Sequence, residues 1–301
     1  MTIVQFLLGA LIVSGLFLVA RWTRALMLRR AEHRNDEGVP PTPLGVAIGF
    51  VTNFFDTLGI GSFATTTAVF RLFRLVPDEL IPGTLVVGHA LPVMTQALVF
   101  ISVVRVDPGQ LGWLIGVCIV GGWLGAGVVA SLSRRAVQIG MGCALMAAAT
   151  FMVLGMYGLF PAGGTALSFT RSAFIVALVV NFGLGALLTL GIGNYAPSLI
   201  AFSLLGVDPQ AAFPIMMGSG AFVATVAGIR FVGAGRFHPR AALGLTLGGI
   251  PGVLVAVWLV RSLPLFALRW LVLAVVVYAA VTLLRAGLSR AADGAAVSRV
   301  A

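Results

Sequence analysis

Asp56 is the one acid deep inside an apolar run, and it immediately precedes Thr57-Leu58-Gly59-Ile60-Gly61. An acid at the centre of a membrane helix costs roughly 2.5–3.5 kcal/mol on insertion scales, which makes it a functional candidate by default. The chemistry open to it is proton coupling or gating; capping of the backbone across the glycines is the purely structural alternative. His89 lies near the middle of the apolar run 80–104. It could bind an anion when protonated or relay a proton, and a neutral imidazole bonded to a neighbouring helix is the other reading. Asp56 and His89 are therefore the candidates for proton coupling or gating. His33 and His238 fall in polar loops. Cys118 and Cys143 are isolated and give neither metal spacing nor a disulfide framework, so they read as packing residues. No metal site and no cofactor are expected. An enzyme is not expected either, because there is no histidine cluster, no multi-cysteine set and no pair of acids at depth. Nucleotide coupling is disfavoured, since the chain has no lysine and no phosphate-binding Gly-x-x-x-x-Gly-Lys.

The glycines around Ile60 point to binding chemistry. Glycine weakens a helix by roughly 1 kcal/mol relative to alanine and permits positive φ. A helix broken there exposes the N–H groups that open the next half-helix, and those groups with the positive end of the dipole favour an anion. In the first instance they belong to Ser62, Phe63 and Ala64, with the hydroxyls of Ser62, Thr65, Thr66 and Thr67 nearby. The same pentapeptide recurs as Thr189-Leu190-Gly191-Ile192-Gly193, followed by Asn194, Tyr195, Ala196 and Pro197. The candidate substrate-binding residues are Asn53, Gly59, Gly61, Ser62, Phe63 and Thr65 at the first break. At the second they are Gly191, Gly193, Asn194 and Tyr195. Close helix packing is what such glycines do when no ligand is involved. Duplication beside polar residues favours a site. Thr95, Gln96, Asn181 and Ser219 are also polar within apolar runs, and read as links between helices.

The elements that position these residues are apolar throughout. The 301 residues are 59% hydrophobic and 9% charged, against about 25% charged in soluble domains. Runs of about 20 apolar residues recur, each able to cross a hydrocarbon core of roughly 30 Å. The net charge of +10 comes from arginines placed singly or in pairs between those runs. That is the signature of cytoplasmic loops rather than of nucleic-acid binding. The first 20 residues lack a basic segment before them and a small-residue cleavage site after them, so they read as a spanning helix and not a signal peptide. Its N-terminus is expected outside, with residues 21–43 in the cytoplasm.

The pentapeptides anchor a longer duplication. Ala64 aligns with Ala196, Pro82 with Pro214, Gly88 with Gly220, and Gly121-Gly122-Trp123-Leu124-Gly125 with Gly248-Gly249-Ile250-Pro251-Gly252. Asn53-Phe54 matches Asn181-Phe182 if four residues are inserted in the second copy. The expected organisation is an N-terminal helix and loop over 1–43, a first repeat over 44–160, a second over 171–287, and a cytoplasmic tail over 288–301. Each repeat contains a broken helix and three spanning runs, near 80–104, 108–132 and 136–160, then near 210–230, 240–260 and 264–286. The pieces 44–56 and 62–74 are too short to cross alone. They form either a re-entrant hairpin or one broken crossing helix. The hairpin places 15 of the 19 arginines inside, leaving Arg105, Arg171, Arg261 and Arg269 outside; the crossing helix places 13 inside. The expected fold is thus an all-α polytopic membrane protein of seven spans. Two inverted repeats, each a re-entrant broken-helix hairpin plus three transmembrane helices, follow one extra N-terminal helix.

The two repeats resemble the sulfite exporter TauE/SafE family, also called the toluene sulfonate uptake permease family, over about 240 residues. The resemblance rests on the Gly-rich break, Pro82-Gly83-Thr84 through Gly88-His89, the loop Arg105-Val106-Asp107-Pro108 and the Gly-rich helix from Gly121 to Gly127. It departs from the family pattern at the break, reduced to Gly59-Ile60-Gly61-Ser62, at His89, and in the helix over 1–20. The resemblance implies a secondary transporter of sulfite or an organosulfonate, usually outward, in the bacterial inner membrane. Export of one negative charge from a negative cytoplasm gains about 2.3 kcal/mol per 100 mV, which also favours that direction. Proton-coupled uptake of a similar anion and a non-transporting membrane assembly factor are the competing readings. The partners expected are the small anionic substrate and the lipid bilayer, without nucleic acid; a homo-oligomer is left open.

Overall fold

The computed structural model describes residues 2–31, 40–57, 61–103, 106–159, 165–190 and 195–259, with scattered positions between 270 and 288. The first helix, α1 (Ile3–Ala31), opens on a reciprocal cap. The Gln5 N–H donates to Thr2 Oγ1 at 3.3 Å, and the Thr2 N–H donates to Gln5 Oε1 at 2.9 Å. It runs well past residue 20, where the apolar run ends, because residues 21–31 contain no glycine or proline and several good helix formers. α2 (Pro43–Thr57) and α3 (Ser62–Phe73) flank the first break. Then come α4 (Ile81–Val103), α5 (Pro108–Ser131), α6 (Arg134–Met156), α7 (Arg171–Leu188), α8 (Tyr195–Leu204), α9 (Pro209–Gly233) and α10 (Pro239–Leu259). α2, α5, α9 and α10 all start on a proline, whose missing N–H costs nothing at that position. At α2 and α5 the preceding residue also caps. Thr42 Oγ1 accepts from the Gly45 N–H at 3.0 Å, and Asp107 Oδ1 accepts from the Gln110 N–H at 2.8 Å.

Among the described residues no strand forms beyond an isolated bridge between Ala166 and Val207, and seven helices are long and apolar enough to cross a membrane. These are α1, α4, α5, α6, α7, α9 and α10. The number equals the seven spans expected from the sequence, but the sets differ. α7 is long enough to be included, while most of the expected run 264–286 lies outside the described residues.

Two hydrophobic clusters mark the two ends of the bundle. One gathers Trp22, Phe70, Val76, Ile81, Val129, Val137, Phe231, Phe237 and Ala242. The other gathers Leu7, Ile101, Leu111, Phe169, Phe202, Val207 and Ala211. Successive helices therefore run in alternating directions: α4 leaves the first end and α5 returns to it, whereas α9 arrives at the first end and α10 leaves it. Arg240, in the first turn of α10, donates to the Pro40 carbonyl just before α2 at 3.1 Å. Near the close of α3, Arg71 pairs with Asp78, which also accepts from Gln138 of α6 at 2.8 Å. At the other end Gln110 and Phe169 exchange two hydrogen bonds of 2.8 and 2.9 Å, tying the start of α5 to the segment before α7.

α2 packs extensively against α10, and α5 against α7. Both seams run on glycine. A side chain at Gly248 would strike the Val46 carbonyl and Phe50 backbone, and one at Gly252 the Phe50 carbonyl. Its counterpart Gly121 faces the Phe182 carbonyl, and Gly125 faces Ala186. Small residues permit this approach, and in a bilayer close van der Waals contact is the main force holding helices together. The two seams fix a register that the sequence match missed. Gly49 meets Leu245 as Gly185 meets Cys118. Asn53 therefore does not correspond in space to Asn181, which lies four residues, about one turn, further from its break. The sequence match was anchored on the break and on an Asn-Phe pair, whereas the packing is anchored on the glycines.

Pro214 falls near the start of α9. It sits in the second turn of α9, which begins five residues earlier. Pro92 lies inside α4 and cannot donate to the Gly88 carbonyl. That carbonyl instead accepts from the Thr246 hydroxyl of α10 at 2.8 Å, so the proline kink becomes a link between helices.

Candidate anion site at the first helix break

Gly61 precedes α3 with φ 87° and ψ 126°. The positive φ is what requires glycine here, because a Cβ at this position would meet nothing within 4 Å. Among the described residues nothing crowds that position. Ser62, Phe63 and Ala64, the first three residues of α3, are buried. The Ser62 N–H is already engaged: it donates to Asp56 Oδ1 at 2.7 Å. Asp56, half-buried at the end of α2, thus caps α3 across the break and sits where an anion would bind.

The second Asp56 oxygen accepts from Gln96 Nε2 of α4 at 2.9 Å. Gln96 Nε2 also donates to Thr57 Oγ1 at 3.0 Å, and Thr57 donates to the Asn53 carbonyl at 2.9 Å. Both acceptors fix the amide orientation. Gln96 is fully buried, and its Oε1 has no hydrogen-bond partner among the described residues.

His89 is fully buried and bridges three helices. Asn53 Nδ2 donates to the Gly49 carbonyl at 2.8 Å, so Asn53 Oδ1 is the atom that faces His89 Nδ1 at 3.0 Å. Nδ1 therefore carries the proton and donates, leaving Nε2 to accept from the Thr66 hydroxyl of α3 at 3.0 Å. Phe63 packs on the same imidazole with ring centroids 5.5 Å apart. In this arrangement both ring nitrogens are satisfied and the imidazole staples α2 and α3 to α4. Thr65 is half-buried and turns its hydroxyl back onto the Gly61 and Ser62 carbonyls, each at 2.9 Å.

The structure thus brings Asn53, Asp56, Gly61, Ser62, Phe63 and His89 together. Gly59, Gly191, Gly193 and Asn194 lie outside the described residues, and Tyr195 opens α8. Thr57, Thr66 and Gln96 complete the network and were not among the expected site residues. One signal did announce Gln96: it follows His89 by seven residues, two helical turns along the same face of α4. Asn181 bonds elsewhere, to the Leu114 carbonyl at 2.8 Å and to Ser219 at 3.0 Å.

An all-helical chain with seven membrane-length helices and buried polar groups at a break is a polytopic membrane protein, and the family match below places it among transporters. Residues 44–283 match the family model described as sulfite exporter TauE/SafE. The chain belongs to that family, and the match spans both pentapeptides and most of the molecule. Comparison with curated proteins and with solved structures finds no match.

Proposed function

We propose that the protein exports a small sulfur-containing anion, sulfite or an organosulfonate, across the bacterial inner membrane as a secondary transporter. The observation that carries this reading is the cap of α3, a half-helix N-terminus whose first N–H holds a carboxylate. Family membership supplies the sulfur chemistry. Binding at the paired breaks uses Asn53, Gly59, Gly61, Ser62, Phe63 and Thr65 on one side, and Gly191, Gly193, Asn194 and Tyr195 on the other. Asp56 gates the first break, and His89 holds the helices around it.

Each broken helix is a re-entrant hairpin in this reading. The segment before α2 and the end of α3 both contact the first end of the bundle, through Pro40 with Arg240 and through Arg71 with Asp78. The start of α7 and the end of α8 join the second end, through Phe169 and Phe202. Hairpins entering from opposite ends are what inverted repeats require. Arg71, Arg135, Arg236 and Arg240 gather at the first end, which makes it the cytoplasmic one.

The test is flux in proteoliposomes loaded with sulfite. An inside-negative potential should accelerate efflux, and a proton gradient should not be required. Accumulation of external sulfite driven by protons would favour the uptake alternative, for which the carboxylate at the break is the supporting observation. Absence of any anion flux from a folded preparation would overturn transport in favour of an assembly role.

A further inference from the structure

Asp56 holds a position that its own chemistry does not explain. A helix needs a cap, but a serine or threonine supplies one without placing a carboxylate at membrane depth. Here one carboxylate oxygen takes a backbone N–H at 2.7 Å and the other takes an amide N–H at 2.9 Å. Two converging donors of this kind make a seat for an oxyanion. The seat has a third feature. The amide that donates through Nε2 carries an Oε1 without a partner among the described residues, in a residue that is fully buried. A buried acceptor of this kind calls for a hydrogen-bond donor. Its orientation is set, because Thr57 uses its own proton on the Asn53 carbonyl and can only accept from Gln96.

We propose, resting on the transport reading above, that Asp56 is a tethered stand-in for the substrate. The anion displaces it from the Ser62 N–H and the Gln96 amide, and the seat prefers an oxyanion that bears an O–H. Such an anion satisfies the whole amide. One oxygen accepts from Nε2 while its O–H donates to Oε1, closing a ring of two hydrogen bonds. Hydrogen sulfite has that group; a sulfonate of the same charge does not. Gly61 adds no bulk beside it: among the described residues, nothing stands within 4 Å of where its side chain would be. Displacement frees Asp56 from the Ser62 N–H, so occupation of the seat and loss of the α2–α3 cap are one event.

The experiment is equilibrium binding to the purified full chain, in mildly acidic buffer, with hydrogen sulfite and methanesulfonate as probes. Wild type should bind hydrogen sulfite at least about tenfold more tightly than methanesulfonate, a tenfold ratio being about 1.4 kcal/mol. Asp56→Ala removes the competitor and should tighten both anions about tenfold or more. Asp56→Asn, which keeps a neutral cap on α3, should tighten them in the same direction and serves if the alanine variant does not fold. Gln96→Met should abolish the preference between the two anions. Unchanged or weaker binding in the folded Asp56 variants overturns the tether. Equal affinity of wild type for the two anions overturns the seat. No binding of either anion by wild type and the Asp56 variants alike sinks the transport reading and this one together.

Discussion

At the scale of single residues, the break is held by side chains that substitute for backbone bonds. Gly61 is fixed by its φ of 87° rather than by crowding. Gly61→Ala should therefore cost about 1–3 kcal/mol of backbone strain, visible as a lower midpoint in thermal unfolding in detergent, with anion binding weakened as the N-terminus of α3 shifts. His89 and Asn53 act as one unit, since each satisfies the other at 3.0 Å. His89→Ala and Asn53→Ala should each destabilise by about 1–3 kcal/mol, and the double variant by little more than either alone. Additive losses in a double-mutant cycle would show that the two side chains work separately. The lone acid and the buried histidine were legible in the sequence because such residues have few reasons to be in an apolar run. Which atoms they would bond was not. Gln96 and Thr66 meet Asp56 and His89 across separations of 40 and 23 residues, and which faces meet depends on helix rotation that hydrophobicity alone does not set when every face is apolar.

At the scale of elements, glycine seams and a proline kink organise the packing. Pro92 leaves the Gly88 carbonyl without its helical donor, and the Thr246 hydroxyl replaces it. Thr246→Val should cost about 1–3 kcal/mol by leaving a buried carbonyl unpaired. Adding Pro92→Ala should recover much of that loss, because the alanine N–H reaches the same carbonyl. Chemical denaturation of the three variants checks the expectation, and a double variant no better than Thr246→Val would refute it. Helix boundaries were readable to within a few residues where Thr-Pro or Asp-Pro announces a start, as at Pro43 and Pro108. The pairing of helices was not. The glycines announced close contact without naming the partner, and the match of Asn53 with Asn181 failed because local similarity does not carry packing register.

At the scale of the whole molecule, the proposed topology places α3's end and the start of α6 on one side of the membrane. In a chain with Cys118 and Cys143 replaced, cysteines introduced at Arg74 and Arg134 should both react from the cytoplasmic side in oriented vesicles. Reaction of both from the outside would require the crossing model. The seams carry a further consequence. α2 lies against α10, and α7 against α5, so each broken helix is supported by the other half of the sequence. The two are in unequal positions during synthesis. α5 already exists when α7 emerges, but α2 leaves the ribosome roughly 190 residues before the glycines of α10 do. At about 5–20 residues per second that interval is roughly 10–40 seconds. The first broken helix, with its carboxylate and histidine, must spend it without its main partner. The last third of the chain thus decides when the packing of the first third is complete.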